Sequence, residues 1–220
     1  MPIRAVFFDL DDTLCNTIGT REARARRAFE ALRRERPNLD GDAFVSRIME
    51  PAGPLLVRGV PAVVNELGLA LTPGGRDALA LWYFVGCAEM LRPIDDVPQT
   101  VAALGRDYTL GIISNGDGPL QRAKLDALGL GIEHVVISAE IGCEKPDPRI
   151  FRHALSLAGV GAREAVFVGD RLDVDVGGAK ASGMRAVWFN HWGGTLNDAA
   201  TPPDAIIRHF DQLPAVLATI

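Results

Sequence analysis

A short apolar run, Ala5-Val6-Phe7-Phe8, stops abruptly at Asp9-Leu10-Asp11-Asp12-Thr13. Its β-branched and aromatic content reads as a buried strand. Asp9 and Asp11 then stand two residues apart where that strand ends. Two carboxylates held about 4 Å apart repel by roughly 4 kcal/mol at an effective dielectric of 20. A fold that gathers them must supply positive charge, and a hard divalent cation with oxygen ligands is a common remedy. For this segment alone, a solvated acidic turn is the plain alternative.

Three further clusters follow the same plan. Leu110-Gly111-Ile112-Ile113 ends in Ser114-Asn115-Gly116. Lys145 sits in Gly142-Cys143-Glu144-Lys145-Pro146-Asp147-Pro148. Ala165-Val166-Phe167-Val168 ends in Gly169-Asp170-Arg171-Leu172-Asp173-Val174-Asp175. In an open parallel sheet, ligands bind beyond the carboxyl ends of the strands. The spacing lets all four clusters meet there. Only three of the 23 basic residues are lysines (Lys124, Lys145, Lys180), so a lysine at 145 suggests a site wanting a point charge rather than a planar fork.

The elements that position these groups alternate between strand and helix outside one block. Strands are expected at 110–113, 135–137, 166–168 and 186–189, with an edge strand at 205–207 and helices between them. Residues 17–91 read as helices with no convincing strand. A first helix spans 20–36. A second, capped by Asp40, runs through Met49, a third covers 55–67 with a possible break at 59–61, and a last one runs from Thr72-Pro73 to about Met90. The 220 residues, 48% hydrophobic, suffice for one α/β domain with an insertion. The net charge of −5 disfavours a nucleic acid polymer as partner. No apolar stretch approaches the ~20 residues of a membrane span. The N-terminus runs straight into a strand, and Cys15, Cys87 and Cys143 show no metal spacing. A cytoplasmic protein with free thiols is expected. The thiols read as packing residues, with a redox role for Cys15 or Cys143 left open.

The four clusters, in this order and each tied to a strand end or the loop between strands, resemble the motifs of the haloacid dehalogenase superfamily. The matching residues are Asp9, Asp11 and Thr13, then Ser114, then Lys145, then Asp170 with Asp175. The resemblance implies a Rossmann-like parallel sheet flanked by helices, with an all-helical cap inserted after the first strand. Residues 1–16 and 92–220 would form the catalytic core and 17–91 the cap. The segments around Ser114, Gln121, Lys124 and Leu125, and around 144–151, are similar to the subgroup containing pyrimidine 5′-nucleotidase and N-acylneuraminate-9-phosphatase.

By that resemblance the chain is expected to be a Mg²⁺-dependent phosphatase acting on small phosphate monoesters, a nucleoside monophosphate or a sugar phosphate. Asp9 would be the nucleophile and form an aspartyl phosphate. Asp11 would protonate the leaving alcohol and then activate water. Thr13 would hold the curl after the strand with its hydroxyl. Ser114 and Asn115 would bind the phosphoryl group, with Lys145 as a cation near both nucleophile and phosphate. The resemblance assigns Mg²⁺ to the carboxylates of Asp9 and Asp170 and the backbone carbonyl of Asp11. Asp175 would support, orienting Lys145 or a metal-bound water. Asp173 is read as a solvated turn residue, and Arg171 either pairs with it or reaches the substrate.

Leaving-group selectivity would fall to the cap. Arg21, Arg24, Arg47 and Arg58 are candidate contacts there, and Trp82-Tyr83-Phe84 offers rings for stacking; a solvated cation or a cap-core ring is the bland reading of each. A phosphomutase or a 2-haloacid dehalogenase of the same superfamily is the main alternative, and Asp11 argues against the dehalogenase. The absence of lysine from 17–91 argues against phosphonoacetaldehyde hydrolysis. A non-enzymatic phospho-switch would not need so large an insertion. The expected partner is a small phosphorylated metabolite, with no nucleic acid polymer and no membrane, and the chain is expected as a monomer or homodimer.

Overall fold

The computed structural model describes residues 2–52, 56–57, 60–196 and 201–220, with backbone alone at 51–52, 56–57 and 84–88. In chain order the elements are β1 (Ala5–Phe8), α1 (Arg21–Leu32), α2 (Gly41–Met49), β2 (Pro51–Ala52), β3 (Leu56–Val57), α3 (Val60–Glu66) and α4 (Pro73–Ala80). A π-helical segment, Leu81–Met90, follows. Then come α5 (Val97–Leu104), β4 (Thr109–Ser114), α6 (Gly118–Leu128), β5 (His134–Ile137), α7 (Ser138–Ile141), α8 (Pro148–Ala158) and β6 (Ala165–Gly169). The chain closes with α9 (Gly177–Ala181), β7 (Arg185–Phe189), β8 (Ala205–Ile207) and α10 (Leu213–Leu217). Among the described residues no helix is long and apolar enough to cross a membrane.

The chain divides into two compact units, Met1–Asn16 with Arg92–Ile220, and Thr17–Leu91. The first is built on a six-stranded sheet in the order β5-β4-β1-β6-β7-β8. Every pairing in it is parallel, with Phe7 opposite both Gly111 and Phe167. A sheet covered on both faces needs apolar side chains at successive positions, and all four residues of β1 are buried. Phe7, Ile113, Val136 and Phe167 face one layer with Phe151 of α8 and Ala179 of α9. On the other face Phe8 and Phe189 meet the Phe210 ring, at 5.8 and 5.4 Å between centroids. The chain leaves β1 toward β4 and β5, then returns to β1's other side through β6. That reversal of direction opens a crevice at the carboxyl end of β1, the usual ligand position in such a sheet.

The second unit buries Ala25, Ala28 and Leu32 of α1 against Phe44, Val45 and Ile48 of α2, Val63 and Val64 of α3, and Trp82. Asp40 caps α2, its carboxylate accepting from the backbone N–H groups of Asp42 and Ala43 at 2.9 and 3.1 Å.

Three details differ from the sequence reading. First, α1 stops at Leu32 rather than Arg36, and Glu35 turns away to accept from the Gly74 N–H at 2.9 Å. Second, the last helix changes at Leu81 from α to π. Third, this unit is not all-helical. Pro51–Ala52 and Leu56–Val57 form a two-residue antiparallel pair where a helix from 55 was expected. Residues 55, 58 and 59 of that expected helix lie outside the described residues.

Candidate active site

Asp9 is the first residue beyond β1, and its N–H donates to the Val168 carbonyl at 2.9 Å, so the strand's alignment with β6 fixes its position. Lys145 lies in the loop between α7 and α8 and is only 3% exposed. Its Nζ donates to Asp9 Oδ1 at 2.5 Å and to Asp175 Oδ1 at 2.7 Å. Asp175, on a π-helical turn after β6, also accepts at Oδ2 from the Arg171 N–H at 3.0 Å. Gly169 makes room for this arrangement, since a Cβ there would overlap the Asp175 carboxylate. Asp175 thus touches Lys145 directly, one of the two positions expected for it.

Burial alone would pull the Lys145 ammonium down. The charges of Asp175 and Asp9 outweigh it and hold the pKa above lysine's ordinary value. The acids are less well served. Burial pushes Asp9 up to about 7, with Lys145 opposing and the charges of Asp175 and Asp11 adding to the rise. Asp170 is pushed up to about 9, by burial first and then by the charges of Asp9, Asp175 and Asp12. Asp9, Asp170 and Asp175 each bring one carboxylate oxygen to a cluster in which all three lie within 4.8 Å of one another. The one ammonium donates to only two of these three carboxylates, Asp9 and Asp175. The surplus negative charge and the donor type both fit a small divalent cation.

The Asn115 side chain holds the loop that carries Lys145. Its Nδ2 donates to the Lys145 carbonyl at 2.9 Å and its Oδ1 accepts from the Lys145 N–H at 2.8 Å. Thr13 departs from expectation: its buried hydroxyl makes no hydrogen bond within the protein. Backbone bonds form the curl instead. Leu14 and Cys15 N–H both donate to the Leu10 carbonyl (3.0 and 3.2 Å), and Asp12 N–H donates to the Cys15 carbonyl at 2.7 Å. Asp12 adopts a left-handed φ of 61° in that curl, a conformation aspartate tolerates better than most residues.

Asp11 is held by two residues that the sequence reading did not place in the site. Both oxygens of its carboxylate accept from Lys124 Nζ, at 2.6 and 2.9 Å. Gln121 Nε2 lies 2.8 Å from Asp11 Oδ2 and 2.6 Å from Ser114 Oγ. Ser114 ends β4, and because its oxygen accepts from Gln121 its own proton stays available to donate. The signal for Gln121 and Lys124 was their i, i+3 spacing just after Ser114, which puts both on one face of α6.

The remaining candidates are tied up locally. Arg171 pairs with Asp173 at 2.9 Å on the surface, as one expected alternative had it. Cys15 is buried, with its Sγ donating to the Leu10 carbonyl at 3.4 Å, and Cys143 is partly buried. In the second unit Arg21 donates to the Ile48 carbonyl at 2.5 Å. Arg24 donates to the Thr17 carbonyl at 3.0 Å and lies 4.5 Å above the Trp82 ring. Arg47 pairs with Glu66. Tyr83 is partly exposed. Arg58 and the side chains of Phe84 and Cys87 lie outside the described residues.

Residues 3–183 match the model of the haloacid dehalogenase-like hydrolase family. The chain is 35% identical over 195 residues to a glyceraldehyde 3-phosphate phosphatase of Pyrococcus abyssi, covering 86% of this chain and 82% of that one. It is 29% identical over 235 residues to N-acylneuraminate-9-phosphatase of Rattus norvegicus, covering 99% and 95%. Among solved structures, a 2-haloacid dehalogenase from Pseudomonas syringae aligns with a TM-score of 0.65 at 29% identity, covering 98% of each chain.

Proposed function

The chain belongs to the haloacid dehalogenase-like hydrolase family, and from that premise we propose that it is a Mg²⁺-dependent phosphatase of small phosphate monoesters, working through an aspartyl phosphate on Asp9. The observation that carries this reading is the Asp9 carboxylate at the end of β1, held by the buried Lys145, with a second carboxylate, Asp11, two residues on.

In this mechanism an Asp9 oxygen attacks phosphorus while the bond to the leaving oxygen breaks. Asp11 gives that oxygen its proton, so an alcohol departs rather than an alkoxide. Lys145 opposes the protonation that burial favours at Asp9 and lies close enough to offset phosphoryl charge. The Ser114 hydroxyl donates to a phosphoryl oxygen. In the second half Asp11 takes a proton from water as that water attacks the aspartyl phosphate, and inorganic phosphate leaves. The metal would be held by the Asp9 and Asp170 carboxylates with the Asp11 carbonyl. When bound it supplies the positive charge that these crowded acids and a phosphate dianion both require.

Two relatives are named for glyceraldehyde 3-phosphate and N-acylneuraminate 9-phosphate, both small phosphomonoesters. They support the sugar-phosphate end of the expected range. Residues 17–91 are assigned the part of a cap, the source of leaving-group selectivity. The absence of a disulfide pairing Cys15 or Cys143 among the described residues favours a reducing cytoplasm. The dehalogenase alignment favours a second reading in which Asp9 displaces halide. A leaving halide needs no proton, so that reading gives Asp11 and its partners no work.

The test is a screen of phosphorylated metabolites with Mg²⁺, with chloride release from 2-chloropropionate measured in parallel. Phosphate release from several sugar phosphates at graded rates, abolished by chelation, is expected. Chloride release without phosphatase activity would install the second reading.

A further inference from the structure

Lys124 has no part in the mechanism above, yet it is one of only three lysines and is 6% exposed. An ammonium that loses its water must be repaid by a partner, and here both oxygens of Asp11 do so. Gln121, 2% exposed, sits beside it and joins the same carboxylate to the Ser114 hydroxyl through one amide nitrogen. That nitrogen also lies 3.2 Å from the Asn115 carbonyl, so its two N–H bonds serve three acceptors, Asp11 after β1 and Ser114 and Asn115 at the end of β4. The carboxylate of Asp11 is therefore gripped from one side by two residues of a single helix, α6, whose first turn is capped by Asp117 accepting from Leu120 N–H at 3.1 Å. A carboxylate on a free loop would rotate among staggered positions. This one is fixed at three points, next to the hydroxyl assigned to the phosphoryl group.

We infer that Lys124, assisted by Gln121, is the positioning residue that aims the Asp11 carboxyl at the leaving oxygen of the substrate. The inference rests on the proposed role of Asp11 as proton donor. As the Asp9–phosphorus bond forms and the phosphorus–oxygen bond breaks, the proton passes from Asp11 to the departing oxygen. The negative charge left on Asp11 then meets the ammonium already beside it. In the second half the same grip holds Asp11 where it accepts a proton from water. Lys124 touches neither substrate nor phosphorus; it acts through Asp11. Lysine suits this task because a compact ammonium can face both oxygens of one carboxylate from within a buried helix face.

The leaving group separates positioning from mere support. An alkoxide needs a proton to depart, whereas 4-nitrophenolate does not, and kcat/KM reports only steps up to that departure. Lys124→Met is expected to lower kcat/KM for glycerol phosphate by about 100-fold, the scale of a general acid, and by about 30-fold more than for 4-nitrophenyl phosphate. Lys124→Arg is expected to recover part of the glycerol phosphate loss. If the methionine variant does not fold, Lys124→Gln, which keeps a polar group of similar reach, must give the same selective loss. Asp11→Asn in the same assays separates the two claims. A selective loss there, with equal losses on both esters or none for the Lys124 variants, overturns the inference alone. If Asp11→Asn shows no selectivity, the acid role falls and the inference with it. A rise in glycerol phosphate turnover on losing Lys124 would mean that the lysine holds Asp11 away from the substrate, and would also overturn it.

Discussion

The two units keep their charge in opposite ways. In Thr17–Leu91 the cations are all arginines, and their ion pairs lie on exposed helix surfaces: Arg26 with Glu22 and Asp42, Arg27 with Glu89, Arg33 with Glu30. In the sheet-bearing unit two lysines are buried against aspartates that follow β1 and β6. Exposed pairs contribute about 0–1 kcal/mol each. Breaking a buried pair from one side costs about 3–5 kcal/mol, because a charge is left without a partner. The buried clusters are thus a poor way to gain stability and an effective way to fix carboxylates in place. Charge in one unit lies along exposed helix surfaces; in the other, two buried lysines fix the carboxylates to which the proposed chemistry is assigned.

The sharpest way to break that contrast is to remove a buried cation. Lys145→Met strands Asp9 and Asp175 together and is expected to abolish turnover. In metal-free buffer it should also lower the urea-unfolding free energy by about 3–5 kcal/mol. A loss under about 1 kcal/mol would place Lys145 among the exposed pairs. At the other extreme, Arg26→Ala removes contacts to both Glu22 and Asp42 and is expected to leave the same free energy unchanged within measurement error. A larger effect would erase the distinction between the units.

Between these lies a pH effect confined to the acid cluster. Folding raises the proton affinity of Asp9, to about 7, and of Asp170, to about 9. The folded chain therefore holds protons that the unfolded chain has already released. The stability this brings is complete below the ordinary carboxylate range and is lost as pH rises through 7 and 9. A divalent cation between these carboxylates offsets that loss. Mg²⁺ is expected to raise the melting temperature more near pH 8.5 than near pH 5, where protons occupy the same oxygens. Equal gains at both pH values, measured by calorimetry, would separate the metal from this cluster.

The site's frame was legible because strand ends carry a strong local signal. Phe8 to Asp9, Ile113 to Ser114 and Val168 to Asp170 each pass from a buried apolar run to a polar group, and a parallel sheet brings such ends together. Asp40 was legible for a similar reason, since capping is decided within three residues. What was not legible depends on partners distant in sequence. Asn115 meets Lys145 30 residues away, and Lys124 meets Asp11 113 residues away. Spacing alone puts Gln121 and Lys124 on one helix face, a signal the sequence reading did not use, and does not say that α6 turns that face toward Asp11. Thr13 misled because a hydroxyl beside a curl resembles a cap, whereas the backbone closes the curl by itself. Glu35 left its helix for the N-terminus of α4, a contact that no helix propensity encodes.

The central claim is that Asp9 carries the phosphoryl group. Turnover of a ³²P-labelled sugar phosphate, quenched in acid within milliseconds and digested, tests it directly. Label is expected on the peptide that contains Asp9, in amounts that rise before steady state, and none is expected with Asp9→Asn, whose near-isosteric amide preserves the fold. Label on any other residue, or persistent turnover by Asp9→Asn, would contradict the account.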